Sequence, residues 1–582
     1  MFTLRNGIIL AIIAAIVALP FVLRPARNAG GAADGGKRAA RVDDTLVIIT
    51  PHNEVIRQEF QAGFVRWWRE RTGRTVYLDW RNIGGASEIA RYLEGEYTAA
   101  FRNHWVNTLG RPWSFTVQSA FANGRLPADA SPEAKEARAA FLASNAGCGI
   151  DLFFGGGAYD FVVQDRAGRL VDNGVMTLHP DWFGDGEAAV IPRRHAGDDY
   201  RGDGGRWYGT VLSAFGIVYN RVSLARIGLP EPRQWTDLAD PRYMGEVALA
   251  DPTKSGSINK AFENVIQQQM QRRVAAVGGG VITEGGSPDP PTARSAAIPD
   301  GAAAPRLAGR ETRPPKVAEG WADGLRLIQR IAANSRYFTD SAQKVPIDVA
   351  AGNCAAGMCI DFYGRQQAEA LLRRGGSDRL AYVSPEGGTS YSVDPIGLLR
   401  GAPNPEVARA FIEYVLSMDG QRLWDQRPGT PGGPERFALR RLPVRRDFYA
   451  LPGIDALRSD PEERPYEVAE PLIYHPEWTG MLFNELRFII RALCIDSHAE
   501  LVSAWRAIHA ARASGDPAAV ARADAALAVM QDVSAVDYAA SLGRIKTALG
   551  AKDKAEEIRL AAQLSAHFRS QYRRAAELAG GG

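Results

Sequence analysis

The sequence predicts an α/β protein, and two observations carry that prediction. Short, β-branched apolar runs recur along the chain, each followed by a Gly-, Ser- or Asn-containing loop and then by apolar residues at helical spacing. The hydrophobic share is 46% of 582 residues, which supplies enough apolar surface for packed cores and excludes wholesale disorder. The charge balance, 69 Lys and Arg against 66 Asp and Glu, makes no electrostatic case for a nucleic-acid partner. Four cysteines are too few for a disulfide-built scaffold.

The first readable element is an apolar segment at residues 6–23, interrupted by Pro20 and preceded by Arg5. It lies in length between a secretory signal core and a minimal membrane span. Arg24 and Arg27 directly after it spoil a small-residue cleavage site, so an uncleaved inner-membrane anchor is favoured. The Gly/Ala-rich stretch 30–40 reads as a tether. Residues 1–42 are therefore expected to be signal or anchor plus tether, and the rest of the chain to lie outside the cytoplasm.

The folded part begins near Asp43. Residues 45–50 (TLVIIT) read as a strand buried on both faces, broken by Pro51-His52-Asn53. Ile56, Phe60, Phe64 and Trp67/Trp68 then recur at helical spacing. A second strand at 75–78 leads into Asn82-Ile83-Gly84-Gly85-Ala86-Ser87 and a helix over 88–93. This alternation is that of a parallel sheet. A third strand at 150–154 ends in Gly155-Gly156-Gly157. Later strands are expected at 216–220, 247–250, 357–360 and 396–399, and a helix with Val407, Phe411, Tyr414 and Val415 on one face follows the last. Residues 278–319 are rich in Gly, Pro, Ala and Ser without periodicity and read as a disordered surface insertion. From about Gly480 the chain turns Ala-rich and helical, broken at Gly515-Asp516-Pro517.

Several segments, in order, resemble the periplasmic solute-binding proteins of ABC importers, in the type II class that includes the ferric-ion-binding proteins. They are 45–59 (TLVIITPHNEVIRQE), 151–157 (DLFFGGG), 206–220 (RWYGTVLSAFGIVYN), 235–257 (WTDLADPRYMGEVALADPTKSGS), 394–424 (DPIGLLRGAPNPEVARAFIEYVLSMDGQRLW) and Leu442-Pro443-Val444. The resemblance implies two α/β lobes joined by hinge strands and closing over a ligand. Lobe 1 would span 43–211 and return at 394–440, and lobe 2 would span 212–393. A terminal segment at 441–480 and a helical extension at 481–582 would follow. It also implies periplasmic work with ABC permease subunits as partners.

Ligands of open α/β sheets sit beyond the carboxyl ends of the strands. That rule selects three loops: the one carrying His52 and Asn53, the one carrying Gly85 and Ser87, and the one carrying Lys254, Ser255 and Ser257. Helix-start N–H groups, hydroxyls and a lysine together favour an anion, or a metal bound with an anion. The ferric-binding proteins hold Fe³⁺ through a His, a carboxylate and two adjacent Tyr. His52 and Tyr363 stand at matching positions, whereas Phe362 replaces the first Tyr and cannot ligate; Glu88 is a loose match for the carboxylate. Fe³⁺ is thus an expected transported ligand beside an organic or phosphorylated anion, and no resident cofactor is expected. Asp361, Tyr391 and Asp394 are further cleft candidates. The pairing of Cys148, Cys354, Cys359 and Cys494 stays open. No G-x-S-x-G or H-E-x-x-H pattern points to an enzyme. A second reading is a membrane-anchored sensor that reports occupancy through its C-terminal helices.

Overall fold

The computed structural model describes residues 42–186, 189–278, 315–375, 378–551 and 553–581. The expected N-terminal anchor and most of the expected insertion lie outside these residues. Among the described residues no helix is long and apolar enough to cross a membrane.

The first run of strands and helices follows the sequence closely. Strand β1 (Asp44–Ile49) buries its last four residues. Helix α1 (Glu54–Thr72) starts where the Asn53 side chain accepts the Ile56 N–H, and ends at Gly73 in the left-handed region. Strand β2 (Val76–Arg81) lies parallel to β1, with Leu46 opposite Leu78. Then come α2 (Ala86–Asn103), β3 (Leu152–Phe154), α3 (Ala158–Ala167) and the short β4 (Leu170–Val171). Strands β5 (Trp207–Ser213) and β6 (Phe215–Asn220) are separated only by Ala214 yet belong to different sheets. Here the chain crosses into a second lobe.

That lobe is built from β7 (Val247–Ala250), α4 (Gly256–Gly278), α5 (Pro315–Ala333), β8 (Ser335–Thr339), α6 (Lys344–Ala350), β9 (Ala356–Ile360), α7 (Asp361–Arg373) and β10 (Leu380–Val383). The chain returns through β11 (Ser392–Leu399), α8 (Pro405–Leu416), α9 (Met418–Asp425) and β12 (Leu442–Pro443). The first sheet has the order β12-β5-β11-β3-β1-β2, with β4 paired to β11; the second has the order β8-β7-β9-β6-β10.

Two expectations change. The sheets are mixed, not parallel throughout: β1 pairs parallel with β2 and β3, but β11 runs antiparallel to β3 and β5, and β6 antiparallel to β9 and β10. The strands next to a crossing enter from the other lobe, so they run against the strands of the local β–α units. The expected insertion also begins and ends in helix, since α4 reaches Gly278 and Pro315–Glu319 already belongs to α5.

The C-terminal helices are not an appended tail. Helices α10 (Phe483–Ile490), α11 (His498–Ala513), α12 (Pro517–Met530) and α13 (Lys554–Gly580) share one continuous hydrophobic core with the second sheet. Trp321 on α5 donates its indole N–H to the Val536 carbonyl at 3.0 Å. Gln329 reaches the Met530 carbonyl at 2.7 Å and the Tyr572 hydroxyl at 2.8 Å. A separate core surrounds the first sheet. All four cysteines are free thiols.

Candidate functional site

The loops at the carboxyl ends of β1, β2, β3, β7 and β9 converge on one cavity of about 630 Å³ between the two sheets. Three helix starts open onto it: α2 behind Gly84 and Gly85, α3 behind Gly156 and Gly157, and α4 behind Lys254 and Ser255. Each presents backbone N–H groups and the positive end of a helix dipole.

At the cavity floor lies Arg441, fully buried just before β12. Its Nη2 stands 2.8 Å from Asp394 Oδ2 and donates to Ser213 Oγ at 2.5 Å. Its Nη1 is 3.4 Å from His52 Nε2, and the guanidinium lies 4.4 Å over the Phe362 ring. His52 Nε2 is also 3.5 Å from Asp394 Oδ2. The His52 ring sits edge-on to Phe154 and Trp424, and its backbone N–H donates to Thr50 Oγ1. Gly155 makes room for it: φ is +90° there, and a Cβ would come 2.6 Å from the imidazole. Two polar atoms here are buried without a hydrogen-bond partner, His52 Nδ1 and Arg441 Nε.

Electrostatics follow from this packing. Burial pushes His52 below the ordinary imidazole range, and the Asp394 hydrogen bond only partly offsets it. Burial would raise Asp394, but the charge of Arg441 and the hydrogen bonds from His52 and Arg441 together outweigh it and hold the carboxyl below its usual range. Asp160, on the first turn of α3, is pushed up to about 6 by burial, with Arg487 opposing. On another wall, half-buried Lys260 pairs with Asp198 at 3.2 Å and Glu263 at 3.3 Å and lies over the Tyr474 ring.

Comparison with known proteins bears on this arrangement. Residues 150–287 match the family of bacterial extracellular solute-binding proteins. The match begins just before β3, runs through the first crossing and all of α4, and ends at residue 287. That match agrees with the solute-binding resemblance carried by the motifs. Among curated relatives, an "uncharacterized protein" of Haemophilus influenzae is 25% identical over 217 residues, 37% of this chain and 46% of that one. The phosphoglycerate transport regulatory protein PgtC of Salmonella typhimurium is 24% identical over 214 residues, 37% of this chain and 39% of its own length. The chain thus spans less than half the length of these relatives. Similar solved structures include the periplasmic binding protein AfuA of Actinobacillus pleuropneumoniae with fructose-6-phosphate bound (15% identity, 65% of this chain and 81% of that one, TM-score 0.39). Iron-bound HitA of Pseudomonas aeruginosa is another (14% identity, 76% and 98%, TM-score 0.40).

Most sequence-selected residues meet in the cavity. His52, Asn53, Gly85, Lys254, Ser255, Ser257, Tyr363 and Asp394 all line it. Several spend their polar groups locally. Asn53 caps α1, Ser255 Oγ accepts the Ile258 N–H at 3.3 Å, and the Gly85 N–H is taken by Glu88 at 3.1 Å. Glu88 is therefore a helix-start acid, not a ligand carboxylate. The Tyr363 hydroxyl accepts from Gln343 at 2.9 Å, and burial raises it, which disfavours a phenolate.

Three expected site residues stand outside the lining. Ser87 accepts from Arg487 at 3.0 Å. Asp361 is buried against Arg365 at 2.5 Å and the Phe362 N–H at 2.8 Å. Tyr391 is buried, with its carbonyl accepting from Tyr200 at 2.8 Å. Asp361 turns its carboxylate into the fold, where the buried Arg365 guanidinium needs an acceptor.

The metal expectation fares differently. His52 and Tyr363 share the cavity, yet the guanidinium of Arg441 occupies the space beside His52 Nε2 and faces Phe362. A fixed cation at that distance opposes a trivalent ion. Among the described residues no three His, Cys, Asp or Glu cluster to hold a metal. Sequence reasoning missed Arg441, Asp160 and Lys260. For Arg441 a signal existed: a basic residue between Leu439 and Leu442, next to a strand.

Proposed function

We propose that the chain is an extracytoplasmic receptor that captures a small organic anion, carboxylated or phosphorylated, and presents it to an ABC permease. One observation carries the choice of anion: fully buried Arg441 at the floor of a cavity onto which helix starts from both lobes open. Contacts to both lobes at once would let the ligand shift the population toward a closed cleft. A cavity of about 630 Å³ exceeds what a bare metal or inorganic ion fills. The word phosphoglycerate in the name of a Salmonella relative points to the same ligand class. The apolar N-terminal segment motivates the extracytoplasmic location, and no catalysis is assigned.

A second reading is a regulatory receptor that reports occupancy through the C-terminal helices. The shared core of lobe 2 and those helices favours it.

Thermal melting of residues 43–582 against phosphoglycerates, sugar phosphates, dicarboxylates, inorganic phosphate and Fe³⁺ salts tests the proposal. A ligand at 100 times its Kd stabilises by about 2.7 kcal/mol. A shift with an organic anion is expected. A shift with Fe³⁺ alone, abolished in Tyr363→Phe, would instead establish the iron reading.

A further inference from the structure

Residues 474–487, which run into the first turns of α10, form a wall of the cavity outside the β–α units of the two lobes. Tyr474, Met481 and Phe483 line it. The segment is held from three sides.

From lobe 2, Gln267 donates to the His475 carbonyl at 2.8 Å, and Asn259 donates to the Phe483 carbonyl at 2.8 Å. The Tyr474 hydroxyl donates to Glu263 on the same helix α4 at 2.8 Å. From lobe 1, the Ala196 carbonyl accepts the Tyr474 N–H at 2.8 Å. The Tyr159 hydroxyl accepts from Asn484 at 2.7 Å, and Ser87 Oγ accepts from Arg487 at 3.0 Å. The rings of Tyr159 and Phe483 lie 4.7 Å apart. From the C-terminal helices, Tyr538 donates its hydroxyl to the Trp478 carbonyl at 2.7 Å. The approach to lobe 1 is close: Gly197, at φ +84°, would carry a Cβ 1.8 Å from the Tyr474 carbonyl oxygen.

We propose that residues 474–487 are a strap that holds the two lobes together across the cavity and ties cleft closure to the C-terminal helices. This rests on the reading of the cavity as a solute cleft. The lobes cannot separate at Ser87 and Tyr159 without breaking the strap's contacts to lobe 1 or tearing it from α4. The strap's middle is also bonded to the C-terminal helices, so its position is shared between cleft and module.

The experiment uses the full chain, without solute, in a Cys148→Ser background. Spin labels are placed at Tyr77→Cys on lobe 1 and Leu372→Cys on lobe 2, which are 56% and 58% exposed. Pulsed electron resonance then reads the interlobe distance. The double variant Asn484→Ala/Arg487→Ala removes two side chains that are exposed or partly exposed, so the fold persists. Loss of two hydrogen bonds should raise the open-to-closed ratio about tenfold, seen as a growing long-distance population. Tyr538→Phe, which removes the hydroxyl bonded to the Trp478 carbonyl, should shift the distribution in the same direction. An unchanged distance in the double variant overturns the strap. An unchanged distance in Tyr538→Phe alone overturns the tie to the C-terminal helices. Because no solute is present, these results stand apart from the melting panel, whose silence would sink only the solute reading.

Discussion

Arg441 and Asp394 share one hydrogen-bonded contact but should respond to substitution in opposite ways. Arg441→Met removes the positive group at the cavity floor. It also leaves the Asp394 carboxylate facing His52 with no cation, in a site where its side chain is 18% exposed. Breaking such a pair costs about 3–5 kcal/mol of stability. A charge-assisted hydrogen bond to a bound anion contributes about 1.5–3 kcal/mol, so anion affinity should fall roughly 10- to 150-fold. Asp394→Asn also loses stability, because it leaves the Arg441 charge buried. It removes a carboxylate that competes with the ligand for Arg441 Nη2, so anion affinity should rise. Urea unfolding gives the stabilities, and calorimetric titration with the anion that shifts melting most gives the affinities. If both substitutions weaken binding alike, Arg441 is a structural cation and the anion reading fails at its central residue.

Gly155→Ala forces a side chain into the left-handed region and into the His52 ring, so we expect a stability loss of about 1–3 kcal/mol together with weaker ligand binding, measured by melting with and without anion. Glu59 accepts the backbone N–H groups of Glu435, Arg436 and Phe437 at 2.7, 2.8 and 2.8 Å, so Glu59→Ala should cost about 2–4 kcal/mol in urea unfolding while leaving anion affinity unchanged. Truncation before Met481 should not yield a free receptor: it strips the shared core from lobe 2, and circular dichroism and proteolysis should report a partly unfolded product. Because burial lowers His52, its folded form takes up a proton only at lower pH than the unfolded chain; the stability it carries is full above about 6.5 and lost as pH falls. The stability gap between wild type and His52→Gln should therefore shrink from about pH 7.5 to about pH 5.5, and a constant gap would contradict the assignment.

The β–α units were legible because each rests on local signals. The run TLVIIT, the cap at Asn53 and the left-handed Gly73 specify β1 and α1 without reference to anything distant. Strand direction was not legible in the same way. Ile396 and Gly397 look like any buried strand residues, and only their pairing with Phe154 and Phe153 across a crossing makes that contact antiparallel. The C-terminal helices misled for a related reason. Their Ala-rich sequence reads as an extension added to the binding fold, but Ala504, Ala523, Ala526 and Ala575 are buried where small side chains let helices approach closely.

The site divides along the same line. Residues that follow a strand end, such as His52 and Lys254, were found because position alone selects them. Arg441 was not found, since nothing near it in sequence shows that Asp394, His52 and Phe362 surround it. Its position also explains the one residue that fitted the iron pattern poorly. A tyrosine at 362 would offer a phenolate to a metal, whereas phenylalanine offers a ring face to a guanidinium, and Arg441 lies over that face. On the proposed reading, the Phe362 ring and the buried guanidinium over it belong together, and both suit an anion better than a hard metal. Phe362→Tyr alone should then confer no iron binding, because the guanidinium would remain to repel the metal.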